Sequence, residues 1–284
     1  MPRSQTDPPL SEPRAIALRA HAIRRDVVRM VGALGQGYVQ QGLGAADLFA
    51  TLLFSELRLD AADPAWPDRD RFLLSTAHNS ALFHAALAAR GLIAREGLDT
   101  YCRDGSTLEV NVSERLGPVV EATFGSLGQG PSVGLGMALA GRRRGAPYRV
   151  YVVLGDGEMQ EGQVWEAAMA AGSMGVDNLC VIVDLNSMQV EGHSDRVLKQ
   201  EPVADKWASF GWATIAVDGH DIAALQAAFA TARATRGRPT VVIARTLVGK
   251  GVPFLEGQFG HNMKLSAADA ARALQELDAA GVAQ

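Results

Sequence analysis

The segment Arg149–Met188 constrains the fold most, because it reads as two buried strands joined by a helix. Val150–Leu154 is a short apolar run rich in β-branched residues, which predicts a buried strand. Gly162–Ala171 carries small and apolar residues at helical spacing, and Asn178–Leu185 is a second apolar run. This order predicts a β-α-β unit with two parallel strands.

Polar residues stand at the carboxyl end of each of these two strands. Asp156 follows the first strand, between Gly155 and Gly157, and Asn186 follows the second. In open parallel sheets ligands bind outside the carboxyl ends of the strands, so these two side chains are expected to meet there. Carboxylate and amide oxygens suit Mg²⁺, which often completes its shell with phosphates and water. Small glycines leave room for phosphates, and helix N-terminal amides donate hydrogen bonds to them. The β-α-β unit therefore predicts a diphosphate bound through magnesium.

The rest of the chain alternates strands and helices in the same way. We predict one α/β domain over residues 15–284, with a parallel sheet and helices on both faces, after a flexible N-terminal arm over residues 1–14. Gly35–Gly44 is rich in glycine and is predicted to be a loop, and Tyr101–Thr123 is predicted to be a long loop. The further predicted strands are Arg71–Ser75, Gly211–Val217 and Arg238–Thr246. The further predicted helices are Ala15–Gly35, Ala45–Phe54, Ala81–Arg90, Pro131–Arg142, Ile222–Arg233 and Ala267–Ala279.

Composition narrows the class of protein. The chain has 284 residues, a formal net charge of −4 and 48% hydrophobic residues, which is enough for a substantial core. A mildly acidic balance without a basic cluster argues against nucleic-acid binding. The sequence has no apolar run of membrane-spanning length, and residues 1–14 carry no hydrophobic signal core, so we expect a cytoplasmic protein that does not enter membranes.

The Gly155-Asp156-Gly157 turn followed by Asn186 resembles the thiamine-diphosphate signature. More of the chain resembles the N-terminal, diphosphate-binding half of transketolases, in the form found in split enzymes with two polypeptides. The stretches that carry this resemblance are RDRFLLSTAHNSALFHAALA, GSLGQGPSVGLGMALA, QEGQVWEAAMAAG, DKWASFGWATIAVDGHD and RPTVVIARTLVGKGV. The resemblance implies a thiamine-diphosphate-binding fold in which Asp156, the Asn186 side chain and the Met188 carbonyl ligate Mg²⁺.

The resemblance also implies roles for individual residues at the cofactor. His78 and His261 are expected near the diphosphate and the reactive carbon of the cofactor, and Glu161 belongs to an acidic network between two cofactor sites. The implied catalytic residues are His78, Glu161, His220 and His261. The implied cofactor-binding residues are His78, Gly125, Ser126, Leu127, Gly157, Glu158, Asn186 and His261.

A partner is implied by what the family needs and this sequence lacks. Activation of the cofactor in this family requires a glutamate of a pyrimidine-binding domain, and the chain ends before such a domain could begin. We therefore expect a subunit that is inactive alone and pairs with a C-terminal transketolase-like subunit that carries this domain, as an α2β2 assembly. Its substrates are expected to be small carbonyl compounds.

The sequence departs from the family at two histidines. A GHxGG-like stretch of the family corresponds to Gly37–Gln41, so that Tyr38 stands where a histidine is expected. Asn111 stands where the family has a second histidine. One interpretation is drift in a surface loop; the other is a donor unlike a xylulose-type sugar phosphate, either a 2-oxo acid or an unusual ketose.

Three functions stay open from the sequence. The leading one is the N-terminal subunit of a two-component transketolase-like transferase that moves a two-carbon ketol or acyl unit to an aldehyde. The second is a subunit of an acyloin-forming or 2-oxo-acid-decarboxylating enzyme, which shares the same cofactor site. The third is a degenerate, non-catalytic partner subunit, and the presence of both Asp156 and Asn186 argues against it.

Overall fold

The computed structural model describes residues 9–281, and a five-stranded parallel sheet forms its centre. The strands of the described part are β1 Gln36–Gly37, β2 Arg71–Leu74, β3 Val150–Gly155, β4 Leu179–Leu185, β5 Met188–Gln189, β6 Gly192–His193, β7 Ala213–Asp218, β8 Thr240–Arg245 and β9 Met263–Lys264. The order in the main sheet is β2-β3-β4-β8-β7, and every neighbouring pair in it is parallel. Two short antiparallel pairs, β1 with β9 and β5 with β6, lie outside this sheet.

Helices cover both faces of the sheet, as the sequence predicts. They are α1 Pro13–Leu34, α2 Val39–Gly44, α3 Ala46–Thr51, α4 Ser80–Arg90, α5 Gly130–Arg144, α6 Gly162–Ser173, α7 Ser194–Val197, α8 Val203–Ser209, α9 Ile222–Ala234 and α10 Ala267–Ala280. Side chains that alternate along each strand point to opposite faces, so Tyr151 and Val153 pack with α1, α3, α4, α9 and α10, whereas Val150 and Val152 pack with α5, α6 and α8. Within residues 9–281, no helix is both long and apolar enough to span a membrane.

The register of β3 and β4 positions the functional edge. Gly155, the last residue of β3, pairs with Asp184 near the end of β4. Asp156, directly after β3, and Asn186, directly after β4, therefore leave the sheet at the same edge. The strands are held by side chains such as Val152 and Val181, which are fully buried and contribute about 2 kcal/mol each by burial. The predicted β-α-β unit is confirmed.

The second half of the glycine-rich segment Gly35–Gly44 forms the helix α2, Val39–Gly44. The prediction of a loop is therefore wrong for this half. The helix α2 packs closely on α1, because a Cβ on Gly42 would lie 2.9 Å from Val27 Cγ1. A Cβ on Gly44 would lie 2.9 Å from the carbonyl oxygen of Leu247. Glycine here serves close packing, which outweighs its low helix propensity.

The first helix begins earlier than predicted. It starts at Pro13, two residues inside the predicted arm, and proline suits a first helical position because the N–H it lacks would have no partner in the helix. Residues 1–8 of the predicted arm lie outside the described residues. The flexibility of the arm therefore stays a prediction.

Candidate functional site

A cleft of about 520 Å³ opens at the carboxyl ends of β2, β3 and β4. It brings together most of the residues that the sequence singled out, although they come from separate segments of the chain. Ser126 and His220 are predicted site residues that do not line it. The predicted residues that do line it are His78, Gly125, Leu127, Asp156, Gly157, Glu158, Glu161, Asn186, Met188 and His261.

Asp156 is a buried carboxylate at the floor of the cleft, with only 2% of its surface exposed. Its Oδ1 accepts a hydrogen bond from the Gly157 amide at 2.9 Å, and its Oδ2 accepts one from the Ser194 hydroxyl at 2.8 Å. Burial, together with the charge of the nearby Asp184, raises the pKa of Asp156 to about 7. The site therefore holds a carboxylate that lacks a compensating positive charge.

Asn186 is oriented by Asp184, a residue that the sequence analysis did not single out. The Asn186 amide donates to Asp184 Oδ2 at 2.9 Å, and Asp184 Oδ1 accepts from the Thr246 hydroxyl at 2.5 Å. The amide oxygen of Asn186 accepts from the Met188 N–H at 3.0 Å, which holds the turn in place. Burial raises the pKa of Asp184. A charged residue inside an otherwise apolar strand is the sequence signal that could have revealed it.

The cleft is strongly acidic. Five carboxylates line it, and none of its lining residues within the described chain is a lysine or an arginine. A diphosphate placed there would be repelled unless a cation accompanied it. The oxygen donors fit a hard divalent cation. No group of three or more His, Cys, Asp and Glu among residues 9–281 forms a metal site, so such an ion would depend on the mixed set of Asp156, Asn186 and the Met188 carbonyl. The acidic residues are Asp156, Glu158, Glu161, Asp184 and Glu191.

Glu158 connects the strand ends to the glycine-rich loop before α5. One of its oxygens accepts from the Gly128 amide at 2.7 Å and from the Ser75 hydroxyl, and the other accepts from the Gly155 amide at 3.2 Å. Burial raises the pKa of Glu158. These bonds fix the loop that presents Gly125 and Leu127 to the cleft, so Glu158 shapes this wall of the cleft through its neighbours.

Three rings form one wall of the cleft. Tyr38 lies 4.7 Å from His78 and 5.2 Å from His261 between ring centroids, and the two histidines are 5.3 Å apart. Burial and the neighbouring His261 lower the pKa of His78 to about 4, and burial lowers the pKa of His261. Burial raises the pKa of Tyr38. All three groups are therefore neutral at pH 7, and Tyr38 belongs to the cleft rather than to a surface loop.

His220 has a structural setting outside the cleft. Its Nδ1 bonds to Asp47 Oδ2 at 2.9 Å, and its Nε2 accepts from the Leu247 amide at 2.8 Å. Accepting at Nε2 requires the proton on Nδ1, so both ring nitrogens are occupied. The family resemblance implied a catalytic role for His220, and the sequence could not reveal that Asp47 binds its ring.

Glu161 lies at the rim of the cleft, at the start of α6. Its side chain is exposed and makes no capping bond, and Glu166 is exposed further along the same helix. Asn111 lines the cleft from the long loop before α5. The structure therefore brings both departures from the expected histidines, Tyr38 and Asn111, to the same cavity.

An acidic cleft at the carboxyl edge of a parallel α/β sheet, with an aspartate and an asparagine after adjacent strands, defines a thiamine-diphosphate-binding type of domain. Residues 16–280 match the family described as transketolase, thiamine diphosphate binding domain. The chain belongs to this family, and the predicted resemblance to the N-terminal half of transketolases is confirmed.

Relatives of similar length include proteins named as transketolase subunits. The chain is 39% identical over 264 residues to the 6-deoxy-6-sulfo-D-fructose transketolase subunit SqwG of Clostridium sp. (strain MSTE9), and the match covers 93% of this chain and 96% of that protein. It is 34% identical to an apulose-4-phosphate transketolase subunit of Phocaeicola vulgatus, over 85% of this chain and 86% of that one. The protein is thus an N-terminal subunit of the transketolase type of transferase.

Solved transketolases share the fold. The transketolase of Pichia stipitis in complex with sedoheptulose 7-phosphate superposes with a TM-score of 0.87 at 31% identity, and the match covers 93% of this chain. The chain spans 41% of the length of that protein. The transketolase of Leishmania mexicana gives a TM-score of 0.85 at 29% identity, over 42% of its own length.

Proposed function

We propose that the cleft binds thiamine diphosphate through Mg²⁺ and that, with a partner subunit, this chain transfers a two-carbon ketol unit from a ketose to an aldehyde. The observation that carries the proposal is the charge of the cleft. Five carboxylates without a lysine or arginine among the described lining residues suit a diphosphate only when a divalent cation bridges the two.

The proposed cation ligands are Asp156, Asn186 and the Met188 carbonyl. The backbone around Gly157 and Gly125 would hold the phosphates and the ring system of the cofactor. The space beside Gly125 is open, because a Cβ there would meet no atom of the described residues within 4 Å. When bound, thiamine diphosphate supplies a nucleophilic carbon that attacks the donor carbonyl and stores the electrons of the broken carbon–carbon bond.

The two histidines of the cleft are proposed to move protons at the donor. Because His78 and His261 are neutral at pH 7, each can accept a proton from a donor hydroxyl or hold a hydrogen bond to the carbonyl oxygen. Tyr38 keeps both rings in place and adds a neutral hydroxyl. Glu161 is proposed to belong to the acidic network at the contact with a second cofactor site, because it is exposed at the rim.

The partner is proposed to be a C-terminal transketolase-like polypeptide that carries the pyrimidine-binding domain, in an α2β2 assembly. One observation supports it. Relatives that align over most of their length include proteins named as transketolase subunits. The cytoplasmic location expected from the sequence remains part of this proposal.

The donor is proposed to be a specialised ketose. Tyr38 and Asn111 give the cleft fewer imidazoles than the family pattern, and the two subunit relatives act on 6-deoxy-6-sulfo-D-fructose and apulose-4-phosphate by their names. The competing proposal, a 2-oxo-acid donor, predicts carbon dioxide release from pyruvate and low activity with ketoses.

The test is calorimetric titration of the two-subunit complex with thiamine diphosphate, with and without Mg²⁺. Uptake that requires Mg²⁺ is the expected result, followed by ketol transfer from a panel of ketose phosphates to glyceraldehyde 3-phosphate. Absence of cofactor uptake in the presence of Mg²⁺ would overturn the proposal. Uptake with pyruvate decarboxylation but without ketol transfer would favour the competing donor.

A further inference from the structure

The carboxamide of Gln41 is buried at the cleft without a partner. Gln41 is 4% exposed and lies on α2, and it lines the cleft. Neither its Oε1 nor its Nε2 makes a hydrogen bond to any residue of the described chain, 9–281. A buried amide that has lost its water and gained no partner is costly, so a group that supplies the missing bonds would bind favourably there.

Asn79 presents a second unpartnered amide oxygen at the same place. It is 5% exposed, it lines the cleft, and its Oδ1 has no hydrogen-bond partner within residues 9–281. A Cβ placed on Gly42 would lie 3.7 Å from this oxygen, so the Asn79 amide lies against the turn of α2 next to Gln41. Asn79 precedes α4 at the N-cap, yet its side chain does not cap the helix, although asparagine commonly does so.

The neighbouring Gln40 shows what a structural glutamine looks like in the same helix. It is fully buried, and its Nε2 donates to the Leu255 carbonyl at 3.1 Å, while its Oε1 has no partner within residues 9–281. Gln40 does not line the cleft. Gln41 differs because neither end of its amide is bonded within residues 9–281 and because it lines the cleft.

The chemistry of the pair selects the ligand class. Together Gln41 and Asn79 offer donors and acceptors without net charge, beside the neutral rings of Tyr38 and His78. An ionised phosphate or carboxylate accepts hydrogen bonds but does not donate them. Its oxygens would therefore leave the amide oxygens of Gln41 and Asn79 without a donor. A hydroxyl both donates and accepts, and two hydroxyls on neighbouring carbons match a pair of amides.

We propose that Gln41 and Asn79 form a hydroxyl-binding subsite that orients the polyol chain of the ketose donor, outside the two-carbon unit that is transferred. The inference rests on the proposed function. It makes Gln41 a specificity-determining residue, because a site built to bond hydroxyls discriminates against donors that lack them.

The experiment uses the two-subunit complex loaded with Mg²⁺ and thiamine diphosphate. The first probe is glucitol 6-phosphate, which has the hydroxyls of fructose 6-phosphate but no carbonyl and cannot act as a donor. We expect its Kd to rise about tenfold or more in Gln41→Met. The second probe compares fructose 6-phosphate with hydroxypyruvate, which both deliver the same two-carbon unit. The kcat/KM should fall about tenfold for the first, mainly through KM, and less than about twofold for the second.

Asn178→Leu is the matched control. Asn178 also carries an unpartnered amide oxygen within residues 9–281, but it donates to the Ala138 carbonyl and precedes β4 at the opposite end of the sheet. This variant should leave both probes unchanged. Asn79→Ala is a second test variant, because its side chain makes no capping bond, and it should reproduce the pattern of Gln41→Met with a smaller change.

The outcomes separate this inference from the proposed function. Equal losses for fructose 6-phosphate and hydroxypyruvate, or an unchanged Kd for glucitol 6-phosphate in both variants, would overturn the hydroxyl subsite. A wild-type complex that turns over hydroxypyruvate but does not bind glucitol 6-phosphate would also overturn it. In each case Mg²⁺-dependent cofactor binding and two-carbon transfer would leave the proposed function standing. Loss of cofactor uptake in the wild type would overturn both.

Discussion

Two groups of buried carboxylates in this protein have opposite surroundings. Asp47, Asp70 and Glu56 lie away from the cleft, and each contacts an arginine, respectively Arg24, Arg58 and Arg233. Asp156 and Asp184 lie at the cleft, and within residues 9–281 their side chains bond to hydroxyl and amide groups only. The degree of burial is similar, so the difference lies in the compensating charge.

The pKa values of Asp47 and Asp156 follow this difference. Burial alone raises the pKa of Asp47, but its bonds to His220 and Arg24 outweigh that effect and lower it. Burial raises the pKa of Asp156 to about 7, and its hydrogen bonds only partly offset this. The negative charge of a buried carboxylate that contacts an arginine is neutralised within the fold. A buried carboxylate without such a partner favours binding either a proton or a metal ion.

The largest expected effect is the loss of cofactor binding in Asp156→Asn. Removing the negative ligand of the proposed cation should weaken Mg²⁺-dependent binding of thiamine diphosphate by about a thousandfold, or about 4 kcal/mol. Calorimetry on the two-subunit complex measures it. Undiminished affinity in this variant would mean that the cleft carboxylate does not differ functionally from the arginine-paired ones.

Asp47→Asn should lower the stability of the fold and leave cofactor binding almost unchanged, the converse of Asp156→Asn. It leaves Arg24 buried without its anionic partner and weakens the bond to His220, so the unfolding free energy should fall by about 3 kcal/mol. Urea unfolding of the isolated chain measures this change. Cofactor affinity of the assembled complex should stay within about threefold of the wild type; a large loss would show that His220 acts in the site after all.

The pH dependence of the stability contribution should differ in sign between Asp156 and Asp47. The pKa of Asp156 is raised to about 7 in the folded protein, so the folded chain binds more protons than the unfolded chain between about pH 4 and 7. Without Mg²⁺, its contribution therefore makes the protein less stable as pH rises through this window. Asp47, whose pKa is lowered, stabilises the protein above its ordinary pKa and loses that contribution as pH falls.

Measured without Mg²⁺, Asp156→Asn should gain about 2 kcal/mol over the wild type at pH 8 and almost nothing at about pH 4. Urea midpoints at the two pH values give this comparison, with Asp47→Asn as the variant of opposite sign. A gain of equal size at both pH values would indicate that packing, rather than an uncompensated charge, accounts for the effect.

The smallest expected effect belongs to an ion pair whose basic side chain is half exposed and whose carboxylate has a second arginine. Arg29 contacts Asp26 at 3.5 Å with half of its side chain exposed, and Asp26 keeps a second partner in Arg95 at 2.8 Å. Arg29→Gln should change the unfolding free energy by about 0.3 kcal/mol. A cost close to that of Asp47→Asn would contradict the view that burial sets the value of a charge pair here.

The sequence predicts the sheet and the cleft well where local pattern and topology agree. The apolar runs that became β3 and β4 predict strands, and parallel strands necessarily bring Asp156 and Asn186 to one edge. Local sequence pattern could not predict helix α2, because Gly42 and Gly44 suggest a loop. Their role becomes clear only from the structure, where α1 packs closely against Gly42. Packing across the chain overrode local propensity there.

Side-chain roles that depend on distant partners were harder to predict. His220 and His78 both follow strand ends. The ring of His220, however, is hydrogen-bonded to Asp47, which lies 173 positions away in the chain. The sequence does not show that Asp184 orients other groups. Only the structure shows that Asn186 and Thr246 donate hydrogen bonds to its two carboxylate oxygens. The unpartnered amides of Gln41 and Asn79 likewise emerge only from the folded chain, because a sequence does not reveal which amides find partners.

Under the proposed function, the acidity of the cleft also sets an order of events during cofactor loading. Without a divalent ion, its walls would repel the pyrophosphoryl tail of the coenzyme over several ångströms, so the ion would have to arrive first or travel with it. Filling of the holoenzyme would then respond to the supply of free magnesium even when the vitamin is plentiful. A shortage of the ion would empty the enzyme as effectively as a shortage of the coenzyme.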